Sequence, residues 1–369
     1  MPTDQSVSAI RVAAEEKHAD ELARLREHDA ASGAAIPPGW RLSPKAVRAF
    51  IIGDPPLGVT RKFYGDDPLV DRAVVTLLGR QGLMLVGEPG TAKSMLSELL
   101  AAAISGNSNL TIQGTAGTTE DHVRYSWNYA LLIAEGPSDR SLVPSPIHTA
   151  LRTGQIARFE EITRAAPEIQ DTMVSILSEK QLMVPELGPD ARVVGRPGFN
   201  VIATANLRDR GVNEMSAALK RRFNFETVRP IADRAFEVEL VTRQVDEELG
   251  DVRGQVRLDT DVVELLVTAF RDLRSGTTAE GTTIKRPETV MSTAEAVNVA
   301  IASALEARYL GDGVVTPAEV ARQLVGVALK DSAEDATRLR FYVDTVVRER
   351  ARRDPAWRAF QMAAQQTWR

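Results

Sequence analysis

Gly82-Leu83-Met84-Leu85-Val86 runs directly into Gly87-Glu88-Pro89-Gly90-Thr91-Ala92-Lys93-Ser94, and this junction decides the fold. The first five residues are apolar without alternation, the pattern of a short strand covered on both faces. The glycine-rich turn then opens a helical stretch, Thr91 to Ile104. A phosphate-binding loop needs this context, because the N–H groups of the turn and of the helix N-terminus can face one anion together. Lys93 is placed to meet β- and γ-phosphates, and the Ser94 hydroxyl to meet Mg²⁺. ATP with Mg²⁺ is the expected ligand pair. The strict eight-residue pattern has Gly where this chain has Ala92, a replacement that fits if the residue keeps a negative φ. Taken alone, the stretch also reads as a Gly-Pro turn capping an ordinary helix.

Working outward, helices and strands alternate. Leu69 to Leu78, Pro144 to Thr153 and Pro167 to Lys180 read as helices. Asn109 to Gln113, Gln155 to Glu160, Phe199 to Thr204 and Phe223 to Val228 read as strands. Strands separated by helices predict right-handed crossovers and a parallel sheet flanked by helices. After Pro230 the strand signals stop. Segments 233–249, 259–273, 287–308, 317–329 and 336–351 carry helical periodicity. The expected organisation is an α/β nucleotide-binding domain over residues 41–230 and an all-helical unit over 231–369. Residues 1–40 read as an N-terminal arm and linker. Within it, Val7 to His28 is a polar helix with few anchors (Ile10, Leu22, Leu25), expected to be solvated and broken between Ala30 and Gly39.

Composition removes several classes of function. The 369 residues include no Cys, which excludes disulfides, Cys-ligated zinc, iron–sulfur clusters and a Cys nucleophile. None of the four His sits at metal-ligand spacing from another. A balance of 45 basic and 50 acidic residues argues against coating nucleic acid or an anionic membrane. No apolar run approaches the roughly 18 residues of a membrane span, and Met1 to Asp20 lacks the apolar core of a signal peptide. A reducing compartment, the cytoplasm first, is the expected location.

Three further elements carry chemistry. Ile156-Ala157-Arg158-Phe159-Glu160-Glu161 is a strand ending in two carboxylates. Neighbouring residues at a strand end can point apart and divide two tasks. Glu160 is expected to support Mg²⁺ and its waters, and Glu161 to act on the attacking water. Asn200 to Asn206 is a second apolar strand with a polar end, and the Asn206 amide can hold a water near the γ-phosphate. Arg221 and Arg222 stand just before another strand. An Arg there could reach a neighbour's γ-phosphate, or simply favour a helix C-terminus. Each feature is common by itself, but the order is not. Lys93 precedes Glu160 by 67 residues, Glu161 precedes Asn206 by 45, and Asn206 precedes Arg222 by 16.

With these residues in view, the chain resembles the AAA+ ATPases and, within them, the MoxR family. The loop with Ala92 before Lys93 is similar to that family's own variant. So is Glu161-Ile162-Thr163-Arg164-Ala165-Ala166-Pro167-Glu168-Ile169-Gln170, with Glu179-Lys180-Gln181 after the helix. The resemblance covers roughly residues 68–310, and departs at Glu160, usually Asp, and Thr163, usually Asn. It implies a P-loop AAA+ core with a helix-2 insert (about 114–151) and a pre-sensor hairpin (182–196, turning at Gly188-Pro189-Asp190), followed by a helical lid. It implies sensor 1 at Asn206, an arginine finger at Arg222 with Arg221 in reserve, and a sensor-2 arginine at Arg286, where Lys285-Arg286-Pro287 is read as opening a helix. It also implies nucleotide contact along Gly87 to Ser94, a homo-hexameric ring, and chaperone-like remodelling of a protein client. A von Willebrand factor A domain protein is the partner that the family suggests.

Three alternatives stay open: a DNA-acting motor, an ATP-gated assembly scaffold with little turnover, and a magnesium-chelatase-like subunit. Against the first, Arg192 and Arg196 in the hairpin are offset by Glu186 and Asp190, whereas a strand-tracking hairpin should be basic. Tyr125, Trp127 and Tyr129, at spacing two, are expected in the core. Arg338 to Arg358, with seven Arg against three acids, is expected to be a solvated basic helix.

Overall fold

A computed structural model describes residues 11–206, 211–289, 291–330 and 332–368. It divides into two compact units, one running to Val228 apart from Pro89–Thr91, the other from Arg229 onward.

The first unit is built on a five-stranded parallel sheet. Its strands are β1 (Gly82–Val86), β2 (Thr111–Gln113), β5 (Ile156–Glu160), β8 (Asn200–Ala205) and β9 (Phe223–Thr227), in the order β2-β5-β8-β1-β9. Helices lie on both faces, so β1, β5 and β8 are buried along their whole lengths. The two-residue period of a strand sorts their side chains. Leu83, Leu85, Ile156 and Ile202 join a core with Leu96, Leu99 and Leu100 of the Lys93–Ser105 helix. Met84, Val86, Ala157, Phe159, Val201 and Ala203 join the opposite core with Ile147, Leu151 and Met173. Burying each large apolar side chain contributes about 1.5–3 kcal/mol.

Register brings the strand ends together. Leu85 pairs with Thr204, Val86 with Ala205, and Phe159 with Ala203. Gly87, Glu161 and Asn206 therefore leave the sheet at one carboxyl edge, where ligands of open α/β sheets bind.

Two small antiparallel ribbons branch from this unit. β3 (Tyr125–Trp127) pairs with β4 (Leu142–Pro144), and β6 (Gln181–Met183) pairs with β7 (Arg192–Val194). The aromatic expectation holds only in part. Tyr125 is buried and Trp127 partly so, but Tyr129 is 68% exposed. The strand period stops at Trp127, because the Asn128 side chain caps a helix, Tyr129–Glu135, by accepting from Leu131 N–H.

The N-terminal arm corrects the solvated reading. Helices Ala14–Lys17 and Ala19–Ser32 are docked, with Leu22 and Leu25 in the same core as Val47, Phe50 and Ile51. Asp29 accepts hydrogen bonds from the backbone N–H and the hydroxyl of Ser43, both at 2.7 Å. Glu21 pairs with buried Lys62. The helix runs past Ala30 to Ser32 and ends at Gly33, whose φ of 65° suits glycine. Ile10 lies outside the described residues.

The second unit is helical: Arg234–Leu249, Thr260–Ser275, Thr293–Leu310, Pro317–Ala328, Ala333–Tyr342, a π turn Val343–Val347, Arg348–Ala351 and Pro355–Thr367. Arg286 does not open a helix. The helix expected from residue 287 starts at Thr293, where Ser292 and Glu295 form a capping box, and Pro287 stays in the preceding loop. The basic C-terminal stretch is not a solvated helix either. It breaks between Ala351 and Pro355, and it buries Leu339, Tyr342, Val346 and Val347. Among the described residues no helix is long and apolar enough to cross a membrane.

Candidate functional site

The phosphate loop leaves β1 at Gly87 and enters the Lys93–Ser105 helix. The Lys93 ammonium donates to the carbonyl oxygens of Gly87 at 3.0 Å and Glu88 at 2.7 Å, so it rests across the loop that carries it. Gly90 has φ 72° and Ala92 has φ 66°. The condition under which Ala replaces Gly without strain therefore fails. Ala92 holds a left-handed conformation, at a cost of roughly 1 kcal/mol relative to Gly, because the chain must reverse there to start the helix.

Opposite the loop lies a buried polar cluster made by the strand period. Ile156, Arg158 and Glu160 share one face of β5, and Ile202 and Thr204 one face of β8. Both faces meet the Lys93–Ser105 helix. Glu160, 4% exposed, accepts at Oε2 from the hydroxyls of Ser94 (2.7 Å) and Thr204 (2.8 Å). Its Oε1 accepts from the Ser97 hydroxyl and from Arg158 Nη2 at 2.8 Å. Burial alone pushes the Glu160 carboxyl up. The charge of Arg158 and the hydroxyls of Ser97, Ser94 and Thr204 outweigh that, and the net shift is downward. Glu160 is a carboxylate at neutral pH.

Glu161 turns the other way. Its φ of 51° lies in the left-handed region, and its side chain is 46% exposed and paired with Arg164 at 2.5 Å. Its backbone N–H donates to Thr204 Oγ1 at 2.9 Å. One buried acid behind Ser94 and one open acid beside it follow from that single backbone conformation. Non-glycine residues held left-handed cluster at functional sites. Asn206 directly follows β8 at the same edge, and residues 207–210 beyond it lie outside the described residues.

The arginines are elsewhere. Phe223 of β9 pairs with Gly82, so Arg221 and Arg222 sit at the amino edge of the sheet. The length of β1, about 16 Å, separates them from the phosphate loop. Arg222 Nε donates to Ser178 Oγ at 2.5 Å, while the Arg221 side chain is exposed with no partner among the described residues. Arg286, in the helical unit, donates from Nε to the Ser275 carbonyl at 3.1 Å.

Three members of the cluster escape sequence reading: Ser97, Arg158 and Thr204. The signal for Arg158 was a charged residue inside an otherwise apolar strand, two positions before Glu160 and hence on its face. For Ser97 it was the helical spacing of three from Ser94.

Residues 82–223 match the AAA domain (dynein-related subfamily), and residues 235–364 match the YehL-like AAA+ ATPase C-terminal domain. The chain is similar to the uncharacterized protein YehL of Escherichia coli, at 50% identity over 347 residues, 94% of each chain. It is 27% identical over 202 residues to an uncharacterized protein of Staphylococcus haemolyticus, covering 53% of this chain and 69% of that one. Among solved structures it is similar to NtrX from Brucella abortus in complex with ADP, with TM-score 0.48 and 14% identity over 81% of this chain and 62% of that one. It is also similar to the Thermotoga maritima RuvB Holliday junction branch migration motor, with TM-score 0.45 and 13% identity over 78% of each chain. By the extent of the YehL match and the two family matches that span the α/β and helical units, this chain belongs to the family of YehL-like AAA+ ATPases.

Proposed function

We propose that this protein hydrolyses ATP as a MoxR-type AAA+ ring and uses the energy to remodel or assemble a protein client. The observation that carries the reading is the division of the two acids. Glu160 is buried against the phosphate-loop Ser94, and Glu161 is turned outward at the same strand end.

The residues fit Mg²⁺. The Ser94 hydroxyl spends its proton on Glu160 Oε2, so its remaining lone pairs are free to face a cation. When bound, Mg²⁺ would supply the positive charge that offsets the charge of the phosphates. Ser94 and the carboxylate of Glu160 behind it would hold that ion. Backbone N–H groups of Gly87, Glu88, Gly90, Thr91 and Ala92 would cradle the phosphates, Pro89 fixing the turn without donating, with Lys93 moving from the loop carbonyls onto them. Glu161 would accept a proton from the attacking water, and Asn206 would orient that water. Arg222 stands too far along the sheet to serve its own loop. Its place is at the next subunit's γ-phosphate, in a homo-hexamer, and Arg286 would act as the sensor-2 residue of the lid. A von Willebrand factor A domain partner and a cytoplasmic setting complete the reading. The hairpin stretch 182–196, with two arginines against two acids, does not favour a DNA-acting motor.

The test is Glu161→Gln. ATP affinity should stay within about twofold while turnover falls roughly 10²–10⁴-fold, with or without added DNA. Unchanged turnover would remove Glu161 from the reaction. Mixing Arg222→Ala with Lys93→Ala protomers, each inactive alone, should restore activity. No recovery despite demonstrated subunit exchange would remove Arg222.

A further inference from the structure

Within the polar cluster around Glu160, the Mg²⁺–nucleotide reading leaves one buried charge without a task. Arg158 is 5% exposed on the inner strand β5, between β2 and β8. Removing a guanidinium from water costs several kcal/mol unless its donors are met. Here they are met across three elements. Nε donates to Ser97 Oγ at 2.9 Å, and Nη1 to the Ser108 carbonyl at 3.0 Å. Nη2 donates to the Ser94 carbonyl at 3.0 Å and to Glu160 Oε1 at 2.8 Å. The guanidinium thus ties the first turns of the phosphate-loop helix to the acid that faces it.

Glu160 needs such a tie. A glutamate has one more rotatable bond than an aspartate, and its carboxylate can swing. Arg158 and Ser97 occupy Oε1, which leaves Oε2 to receive the Ser94 proton. That bond sets which way the Ser94 lone pairs point. The fork is specific to arginine: a lysine ammonium cannot span Ser97, the Ser94 carbonyl and Glu160 at once.

We infer that Arg158 is a positioning residue of the magnesium–nucleotide site, holding Glu160 so that Ser94 presents its lone pairs to the ion. The inference rests on the proposed function, and its test separates the two. The probe is the fluorescent, non-hydrolysable analogue mant-AMPPNP, titrated against the full-length protein with and without Mg²⁺. Arg158→Lys should raise the Mg²⁺ concentration for half-maximal tight binding about tenfold, the usual size for a residue that orients a metal ligand. Affinity in excess chelator should stay within about twofold. Glu160→Gln should shift the Mg²⁺ requirement by at least as much, and the double variant should be no worse than Glu160→Gln alone.

A purely structural Arg158 would weaken binding equally with and without Mg²⁺, and its effect would add to that of Glu160→Gln. Either result overturns the inference. If Glu160→Gln itself leaves the Mg²⁺ requirement unchanged, the site reading falls and takes the inference with it. Should Arg158→Lys fail to fold, Arg158→Gln in the Glu160→Gln background, which buries no charge, replaces it. A further shift in Mg²⁺ requirement there also overturns the inference.

Discussion

Each unit sets a largely buried arginine against a buried carboxylate, and the two arrangements differ in what they enclose. In the α/β unit Arg158 meets Glu160, whose other oxygen faces the open phosphate loop through Ser94. In the helical unit Arg350 bonds Asp272 at 2.7 Å and grips Glu280 through Nε and Nη2. Its guanidinium lies 4.7 Å from the centre of the Trp357 ring, and Tyr342 donates to the same Asp272 at 2.9 Å. Asp272, Tyr342 and Trp357 stand on helices, and Glu280 on the turn that follows the Thr260–Ser275 helix. Similar chemistry therefore borders the phosphate loop in one unit and acts as a strut between helices and a turn in the other. A π turn, Val343–Val347, lies between Tyr342 and Arg350, and such turns shift the residues that follow them on a helix.

The sharpest way to break the comparison is to remove the strut. Arg350→Met leaves Asp272 buried and unpaired, and should cost about 3–5 kcal/mol of stability in chemical denaturation. ATP affinity of the folded protein should not change. A loss of affinity in protein that is still fully folded would make Arg350 part of a site. Lys93→Ala should do the reverse. Losing a charge-assisted contact to phosphate should weaken ATP binding roughly 10–100-fold, read by calorimetry, with the melting temperature held.

Lys180 sharpens the contrast, because it is a buried cation with neither role. Its Nζ has no hydrogen-bond partner among the described residues and lies 5.4 Å from the Phe199 ring. Burial pulls its pKa from 10.5 down to about 8. Between those values the folded protein gives up a proton that the unfolded chain keeps, so this group makes stability rise with pH across that window. Below pH 8 the penalty is fully present. Lys180→Met should stabilise the protein at pH 7 by about 1–3 kcal/mol, and the gain should fade toward pH 10.5. A destabilised variant at pH 7 would mean that the ammonium has a favourable role. The smallest effect belongs to Ala92→Gly, which should relieve the left-handed strain and add about 1 kcal/mol, measured as a shift in denaturation midpoint.

Much of the sheet could be read from local pattern. Apolar runs bounded by turns located the parallel strands, and the order of phosphate loop, paired acids and Asn206 located the carboxyl edge. Leu22 and Leu25 look sparse in isolation, which is why the sequence suggests a solvated arm. They suffice once Val47, Phe50 and Ile51 meet them. Pro287 looks like a first-turn residue and so suggests a helix opening at Arg286, yet the reciprocal bonds of Ser292 and Glu295 set the start six residues later.

By itself, the sequence determined which residues could bind phosphate and the succession of strands and helices, since both follow from spacing within a few residues. Three matters were left to the tertiary structure. The first is the left-handed backbone at Ala92 and Glu161, and the second is which glutamate is buried. The third is the meeting of Ser97, Arg158 and Thr204 around Glu160. Those residues lie on separate elements, and their charges and hydroxyls became partners only when the sheet closed water out around them and made each unmet bond costly.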